Sequence, residues 1–84
     1  MKTKKEWDDS KKCLNEFLEV GDVVDEDIYY YFLEVLPPAY VSANCIQIGE
    51  PYAYSTEGPN FPTLVKKDGQ WIYAGNIATK IDSI

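Results

Sequence analysis

The sequence predicts an α+β fold in which two N-terminal helices pack on a small three-stranded antiparallel sheet, in the order ααβββ. Three observations lead to this prediction. Apolar residues recur at helical spacing in the first 36 residues, a Pro-Pro step follows, and the second half centres on a strong hairpin turn. The chain has 84 residues, so residues 1–84 are expected to form a single small domain with one core.

The first helix is expected at about residues 4–20. Thr3 is a suitable N-cap, and Glu6 three positions later completes a capping box. Gly21 follows the last apolar turn, where a helix commonly ends. The apolar residues that would form the inner face of this helix are Trp7, Leu14, Phe17 and Leu18.

A second helix is expected at about residues 25–36. Its first turn would hold three acids, whose charge complements the helix dipole. Pro37-Pro38 would end it and force an extended exit, because proline lacks an amide donor and disfavours helix before it. The inner face of this helix would consist of Ile28, Phe32, Val35 and Leu36.

The sheet is expected at about residues 44–74. Cys45–Ile48 would form one strand, and residues 49–60 a loop rich in Gly, Pro, Ser and Asn. Thr63–Lys67 and Gln70–Ala74 would form a hairpin around Asp68-Gly69, a strong two-residue turn signal. The tail from residue 75 has two interpretations, a helical turn capped by Asn76 or an edge strand at 77–81.

The composition excludes several classes of function. Histidine is absent and all eight basic residues are lysines, which excludes histidine-based triads, histidine metal sites and bidentate arginine clamps. A net charge of −6 argues against direct nucleic-acid binding, which needs a basic patch. We find no apolar run long enough for a signal peptide or a membrane span, so we expect a cytoplasmic protein without a membrane partner. Cys13 and Cys45 are then expected to be reduced, buried thiols.

No catalytic, cofactor or metal site is predicted. A calcium loop needs oxygen ligands at alternating positions, with glycine sixth and glutamate twelfth, and the acids that begin at Asp22 or Asp25 do not fit that register. Neither cysteine can have a histidine as its base. We therefore expect a protein that is not an enzyme and that carries no cofactor.

The acids and the tyrosines supply the candidate site. Between Glu16 and Glu34 the chain holds seven acids and no lysine, and such a one-signed surface attracts basic partners. Three tyrosines follow in succession, and at 100° per helical residue Tyr29 or Tyr30 must point partly outward. The residues predicted to bind a partner are Glu19, Asp22, Asp25, Glu26, Asp27, Tyr29, Tyr30, Tyr52, Tyr54 and Glu57.

One segment resembles a known group of proteins. The run from Tyr30 to Pro38 contains Leu-Glu-Val-Leu-Pro-Pro after an aromatic stretch, and Gly49-Glu50-Pro51 follows it. This pattern resembles small uncharacterised accessory proteins of plasmids and phages, over about residues 26–75. Many of those proteins carry a histidine soon after the Gly-Glu-Pro step, where this chain has Tyr54 or Ser55. The resemblance implies an origin on a mobile genetic element and assigns no activity.

The leading functional hypothesis is a small acidic module that binds a host protein or nucleoprotein complex with a basic surface. Its concrete form is an anti-CRISPR or anti-restriction inhibitor that occludes a nucleic-acid-binding groove. Two alternatives stay open. The 49–60 loop, with Glu50, Tyr52, Tyr54 and Glu57, would serve a ligand-binding or weakly enzymatic domain. The exposed tyrosines would instead serve self-association in a homodimer or a larger assembly.

Overall fold

The computed structural model describes residues 1–49, 54–55, 58–59 and 61–77. The strands in these residues are β1 (Val23–Val24), β2 (Pro38–Val41), β3 (Cys45–Ile48), β4 (Tyr54–Ser55), β5 (Gly58–Pro59), β6 (Phe61–Lys67) and β7 (Gln70–Ile77). Five of them form one antiparallel sheet in the order β1-β7-β6-β3-β2, while β4 pairs with β5 separately. The helices are α1 (Lys4–Ser10), α2 (Leu14–Phe17) and α3 (Glu26–Tyr30).

The predicted fold class is therefore wrong in its architecture. The molecule is mainly a five-stranded antiparallel sheet with three short helices, and not two long helices on a three-stranded sheet. The α+β character is correct. The difference arises at two segments: 23–24, which lies between the two predicted helices, and 38–41, which follows the predicted end of the second helix. Both segments are extended and pair with the sheet, which places a strand on each of its edges.

The predicted hairpin is confirmed and is longer than expected. Asp68 and Gly69 both have positive φ, 53° and 77°, which is the geometry of a two-residue turn that matches the twist of the strands. The pairing then continues as far as Phe61 opposite Ile77. β7 therefore extends through the beginning of the ambiguous tail, whereas residues 78–84 lie outside the described part of the chain.

Strand β3 is the most buried part of the sheet and was predicted correctly. All four of its residues are buried, so both of its faces are covered. Ile46 and Ile48 belong to the main core, while Gln47 donates from Nε2 to Thr63 Oγ1 at 3.1 Å. A buried amide is tolerated here because it has a hydrogen-bond partner.

The predicted first helix is interrupted. Thr3 caps α1 by accepting a hydrogen bond from the Glu6 amide, as the capping box predicts. The helix then stops at Ser10, whose hydroxyl bonds the Trp7 carbonyl, and Lys11 adopts a left-handed conformation with φ of 58°. Local side-chain hydrogen bonds of this kind compete with helix continuation. The single turn α2 follows, and the chain is extended again by Leu18.

The predicted second helix is present but changes its winding. Asp25 caps α3 by accepting from the Ile28 amide at 2.9 Å. Residues Tyr31–Val35 continue as a π-helical turn, which closes with a hydrogen bond from the Leu36 amide to the Tyr31 carbonyl. Leu36 is extended, as expected for a residue that precedes a proline.

One core lies between the helices and the sheet. Its buried members come from α2 and the residue that follows it, from β1, α3 and the π-helical turn, and from the three central strands. They are Leu14, Leu18, Val24, Ile28, Phe32, Ile46, Ile48, Leu64 and Tyr73. Each apolar side chain buried in this way contributes roughly 1.5–3 kcal/mol of transfer free energy to stability. Within the described residues, no helix has the length and apolar character that a membrane crossing requires.

Gly75 lies beside a β-bulge in β7, and its backbone conformation predicts an effect on stability. β7 carries one extra residue opposite the Thr63–Leu64 step, and Gly75 beside it has φ of +93°. A Cβ there would also lie 2.9 Å from Val20 Cγ2. We expect Gly75→Ala to lower the free energy of unfolding by about 1–2 kcal/mol, because left-handed backbone strains any residue with a Cβ. Urea denaturation measures the change.

Gly49→Ala is the matched control. Its added Cβ would meet only Ala39 Cβ at 3.8 Å, which is ordinary van der Waals contact, and Gly49 does not have a positive φ. We expect this variant to stay within about 0.5 kcal/mol of the parent. Equal destabilisation by the two substitutions would contradict the strain at Gly75.

Candidate functional site

A groove of about 670 Å³ opens between the start of α3 and the hairpin end of the sheet. The edge strand β1 leads into α3, and its Val24 pairs with Trp71 on β7. This pairing places the acidic first turn of α3 beside the aromatic surface of β7. We call this the acidic-aromatic groove, after the charged, amide and aromatic residues of its lining, which are Asp25, Glu26, Asp27, Tyr29, Tyr30, Lys66, Gln70 and Trp71.

Stacked aromatic rings form one wall of this groove. The rings of Tyr29 and Trp71 lie 4.7 Å apart between centroids at an interplanar angle of 19°. Tyr30 packs against Tyr29 at 5.1 Å in a tilted arrangement and keeps 48% of its surface exposed. The third tyrosine, Tyr31, instead packs against Trp7 in a T-shaped arrangement, with the ring centroids 5.0 Å apart. The tyrosine run is therefore divided between the groove and the α1 side of the fold.

The three groove acids differ in what they do. Asp25 is committed to the fold, because one oxygen caps α3 and the other accepts from the Lys4 amide at 3.3 Å. Glu26 and Asp27 are exposed, and their carboxylates make no hydrogen bond or ion pair with a described residue. These two side chains are therefore the carboxylates of the groove that remain available to a partner.

The sequence grouped Asp22 and Glu19 with these acids, but the structure places both outside the groove. Asp22 accepts from the Glu19 amide at 2.8 Å and forms an ion pair of 3.0 Å with the Lys2 ammonium. That ammonium also donates to the Phe17 carbonyl and lies 4.7 Å from the centroid of the Phe17 ring. The hydrogen bond from Glu19 and the Lys2 charge hold the pKa of Asp22 below its usual range. The role of Asp22 in this arrangement is structural.

Three groove residues were missed by sequence reasoning. Lys66, Gln70 and Trp71 were predicted only as parts of strands. Lys66 and Trp71 occupy directly opposite positions on β6 and β7. The turn at Asp68-Gly69 fixes that register, so the sequence does predict that these two residues pair. It does not predict that α3 lies over Trp71, because that contact depends on the short strand β1.

The remaining predicted site residues belong to the 49–60 loop. Tyr52 and Glu57 lie outside the described residues, as does Glu50, and Tyr54 belongs to β4. The ligand-binding alternative for this loop therefore stays a prediction.

The cysteines separate into two environments. Cys45 is buried in β3, and this burial raises the pKa of its thiol. Cys13 is exposed at the start of α2, so the expectation that both thiols are buried is wrong for Cys13. Within the described residues, no group of three or more Cys, Asp or Glu side chains could hold a metal ion.

Comparison of the chain with protein-family models, with curated proteins and with solved structures finds no match. The resemblance to small plasmid and phage proteins thus stays a prediction. The geometry and charge of the acidic-aromatic groove are the basis on which a function can be proposed.

The ion pair of Asp22 with Lys2 predicts a pH dependence of stability. Because the folded-state pKa of Asp22 is lowered, its contribution is complete above the ordinary value of 3.8 and is lost as pH falls through the folded pKa. We expect Asp22→Asn to destabilise the protein by roughly 1 kcal/mol at neutral pH, because it removes the charge that Lys2 faces. The gap between the two proteins should close in acid, as measured by urea denaturation across a pH series.

Asp9→Asn is the control for this experiment. Asp9 pairs with Lys5 at 3.4 Å on an exposed helix face, where such pairs contribute little. A gap between parent and Asp22→Asn that stays constant from neutral to strongly acidic pH would contradict the assigned role of Asp22.

Proposed function

We propose that this protein is a non-catalytic binding module that uses the acidic-aromatic groove to attach to a basic surface of another protein. The observation that carries the proposal is the placement of exposed Glu26 and Asp27 beside a stacked aromatic wall in one open groove. Aromatic residues are enriched among the energetically dominant residues of protein interfaces. Carboxylates at the rim of an interface steer oppositely charged partners and set the register of binding.

The net charge of the chain supports a basic partner. The whole protein carries −6, and the described lining of the groove holds three carboxylates and one lysine. A lysine- and arginine-rich surface is the chemistry that such a groove complements. Basic surfaces of this kind are common on proteins that bind nucleic acids, where they neutralise phosphates.

The more specific form of the proposal is competition with nucleic acid. In this form the module comes from a mobile genetic element and acts in the host cytoplasm. It covers the nucleic-acid-binding surface of a CRISPR or restriction complex, so that the complex loses its substrate. The sequence resemblance and the acidic charge motivate this form, and the groove supplies the contact through which it would act.

Charge reversal in the groove tests the proposal. We expect the double variant Glu26→Lys, Asp27→Lys to lose at least tenfold in affinity for its basic partner, because attraction at the groove becomes repulsion. The measurement compares proteins captured from host lysate by the immobilised parent and by the variant, at low and at high salt. The captured protein should elute with salt and should be displaced by added nucleic acid.

The double variant Glu16→Lys, Glu34→Lys is the matched control. Both residues are exposed acids of the same lysine-free segment, both lie outside the groove lining, and the change in net charge is identical. We expect this variant to retain most of the binding. Capture of the same proteins by the parent and by both variants, or of none by the parent, would refute a role of the groove.

Removal of the lysine in the groove should strengthen binding, in contrast to the charge reversal of Glu26 and Asp27. Lys66 is exposed and lies opposite Trp71, where its charge opposes the approach of a cation. We expect Lys66→Ala to strengthen binding of the same basic partner about twofold to fivefold at low salt. Lys67→Ala, the neighbouring exposed lysine outside the groove lining, should have little effect. Weaker binding by Lys66→Ala would contradict the proposed polarity of the site.

A further inference from the structure

We infer that the acidic-aromatic groove selects arginine over lysine, so that its occupant is an arginine side chain of the partner. This inference rests on the proposed function and specifies the group that the groove recognises. Three features of the groove support it: its aromatic wall, its two available carboxylates and the absence of a described lysine over its aromatic rings.

The aromatic wall favours a flat cation. Tyr29 and Trp71 stack with their planes 19° apart, and Tyr30 beside them is 48% exposed. A guanidinium is planar and stacks on aromatic faces, and it is less strongly hydrated than an ammonium. Stripping water from an arginine at such a wall therefore costs less than stripping it from a lysine.

The two available carboxylates add a second preference. A guanidinium has five N–H donors in a fixed fork, whereas an ammonium is a compact point charge. Glu26 and Asp27 are adjacent in sequence, exposed and unpaired among the described residues. A guanidinium stacked on the wall can donate to these carboxylates while its face stays on the ring.

Of the chain's lysines, Lys66 lines the groove, and two others lie over aromatic rings outside it. Lys4 lies over the rings of Trp7 and Tyr31, at 5.2 Å and 4.8 Å from their centroids, and Lys2 lies over Phe17. Among the described residues, no lysine lies over Tyr29, Tyr30 or Trp71 in this way. The groove therefore combines aromatic faces and carboxylates without an internal cation on those faces, which is the complement of an external one.

The test compares three short homopeptides of equal length, made of arginine, lysine or citrulline. Citrulline keeps the shape of arginine without its charge. Binding to the full chain is followed by tryptophan fluorescence and by calorimetry at low salt. We expect the arginine peptide to bind about fivefold more tightly than the lysine peptide, and the citrulline peptide to bind far more weakly than both.

Variants at Tyr30 separate stacking from charge. Tyr30 is half exposed, so its replacement should leave the fold intact, as a thermal unfolding curve will check. We expect Tyr30→Leu to reduce the preference for arginine to less than about twofold, because the arginine peptide loses more affinity than the lysine peptide, and Tyr30→Phe to retain the preference.

The possible failures are distinguishable. Equal affinity for the arginine and lysine peptides would overturn the inference and leave the proposed function standing. Binding of neither peptide would overturn both. An arginine preference that survives unchanged in Tyr30→Leu would overturn the role of the exposed ring in the selection.

Discussion

The pairing of the two-residue strand β1 with β7 determines where the rest of the N-terminal half can lie. Val23 and Val24 lie opposite Ile72 and Trp71, so the chain must leave β1 directly beside Trp71. Asp25 follows immediately and caps α3, which brings Tyr29 onto the indole. The outer edge of β1 is in turn covered by the backbone of Lys2, which bonds both Val23 and Asp25. These two bonds satisfy backbone groups that the edge strand would otherwise leave unpaired.

The sequence correctly predicted those elements whose conformation depends on residues that are close together in the chain. The turn at Asp68-Gly69 specifies its hairpin through backbone conformations that these residues adopt readily. Strand β3 follows from its apolar run, and the cap at Thr3 follows from the capping-box pattern of Thr3 and Glu6. The prediction of one long first helix was wrong. Helical spacing alone does not reveal that the Ser10 hydroxyl donates to the Trp7 carbonyl in the last turn of α1. Trp7 and Leu14 are spaced as on one helix, but they lie on two separate helices, α1 and α2, that pack against the same core.

The sequence predicted part of the candidate site. It did not predict the features that depend on contacts between residues far apart in the chain. The acids and tyrosines of 25–30 are adjacent in sequence, so their proximity follows from one helix. The sequence could not separate the structural acids from the available ones. The Asp22 carboxylate pairs with Lys2 and the Asp25 carboxylate caps α3. Glu26 and Asp27 are exposed. That division depends in part on the contacts of Lys2 with Asp22 and of Lys4 with Asp25, which are 20 and 21 residues apart. The contribution of Trp71 to the aromatic wall depends on its contact with Tyr29, which is 42 residues away.

The two tryptophans make one measurement especially direct. Trp71 lines the acidic-aromatic groove, whereas the Trp7 indole lies outside it and donates to the Lys12 carbonyl at 2.9 Å. We would record ¹⁵N–¹H spectra of the protein during titration with the arginine homopeptide. The account predicts that the Trp71 indole signal and the amides of residues 25–30 shift together, while the Trp7 indole signal stays in place. Equal shifts of both indole signals, or a shift of the Trp7 signal alone, would contradict binding in the groove.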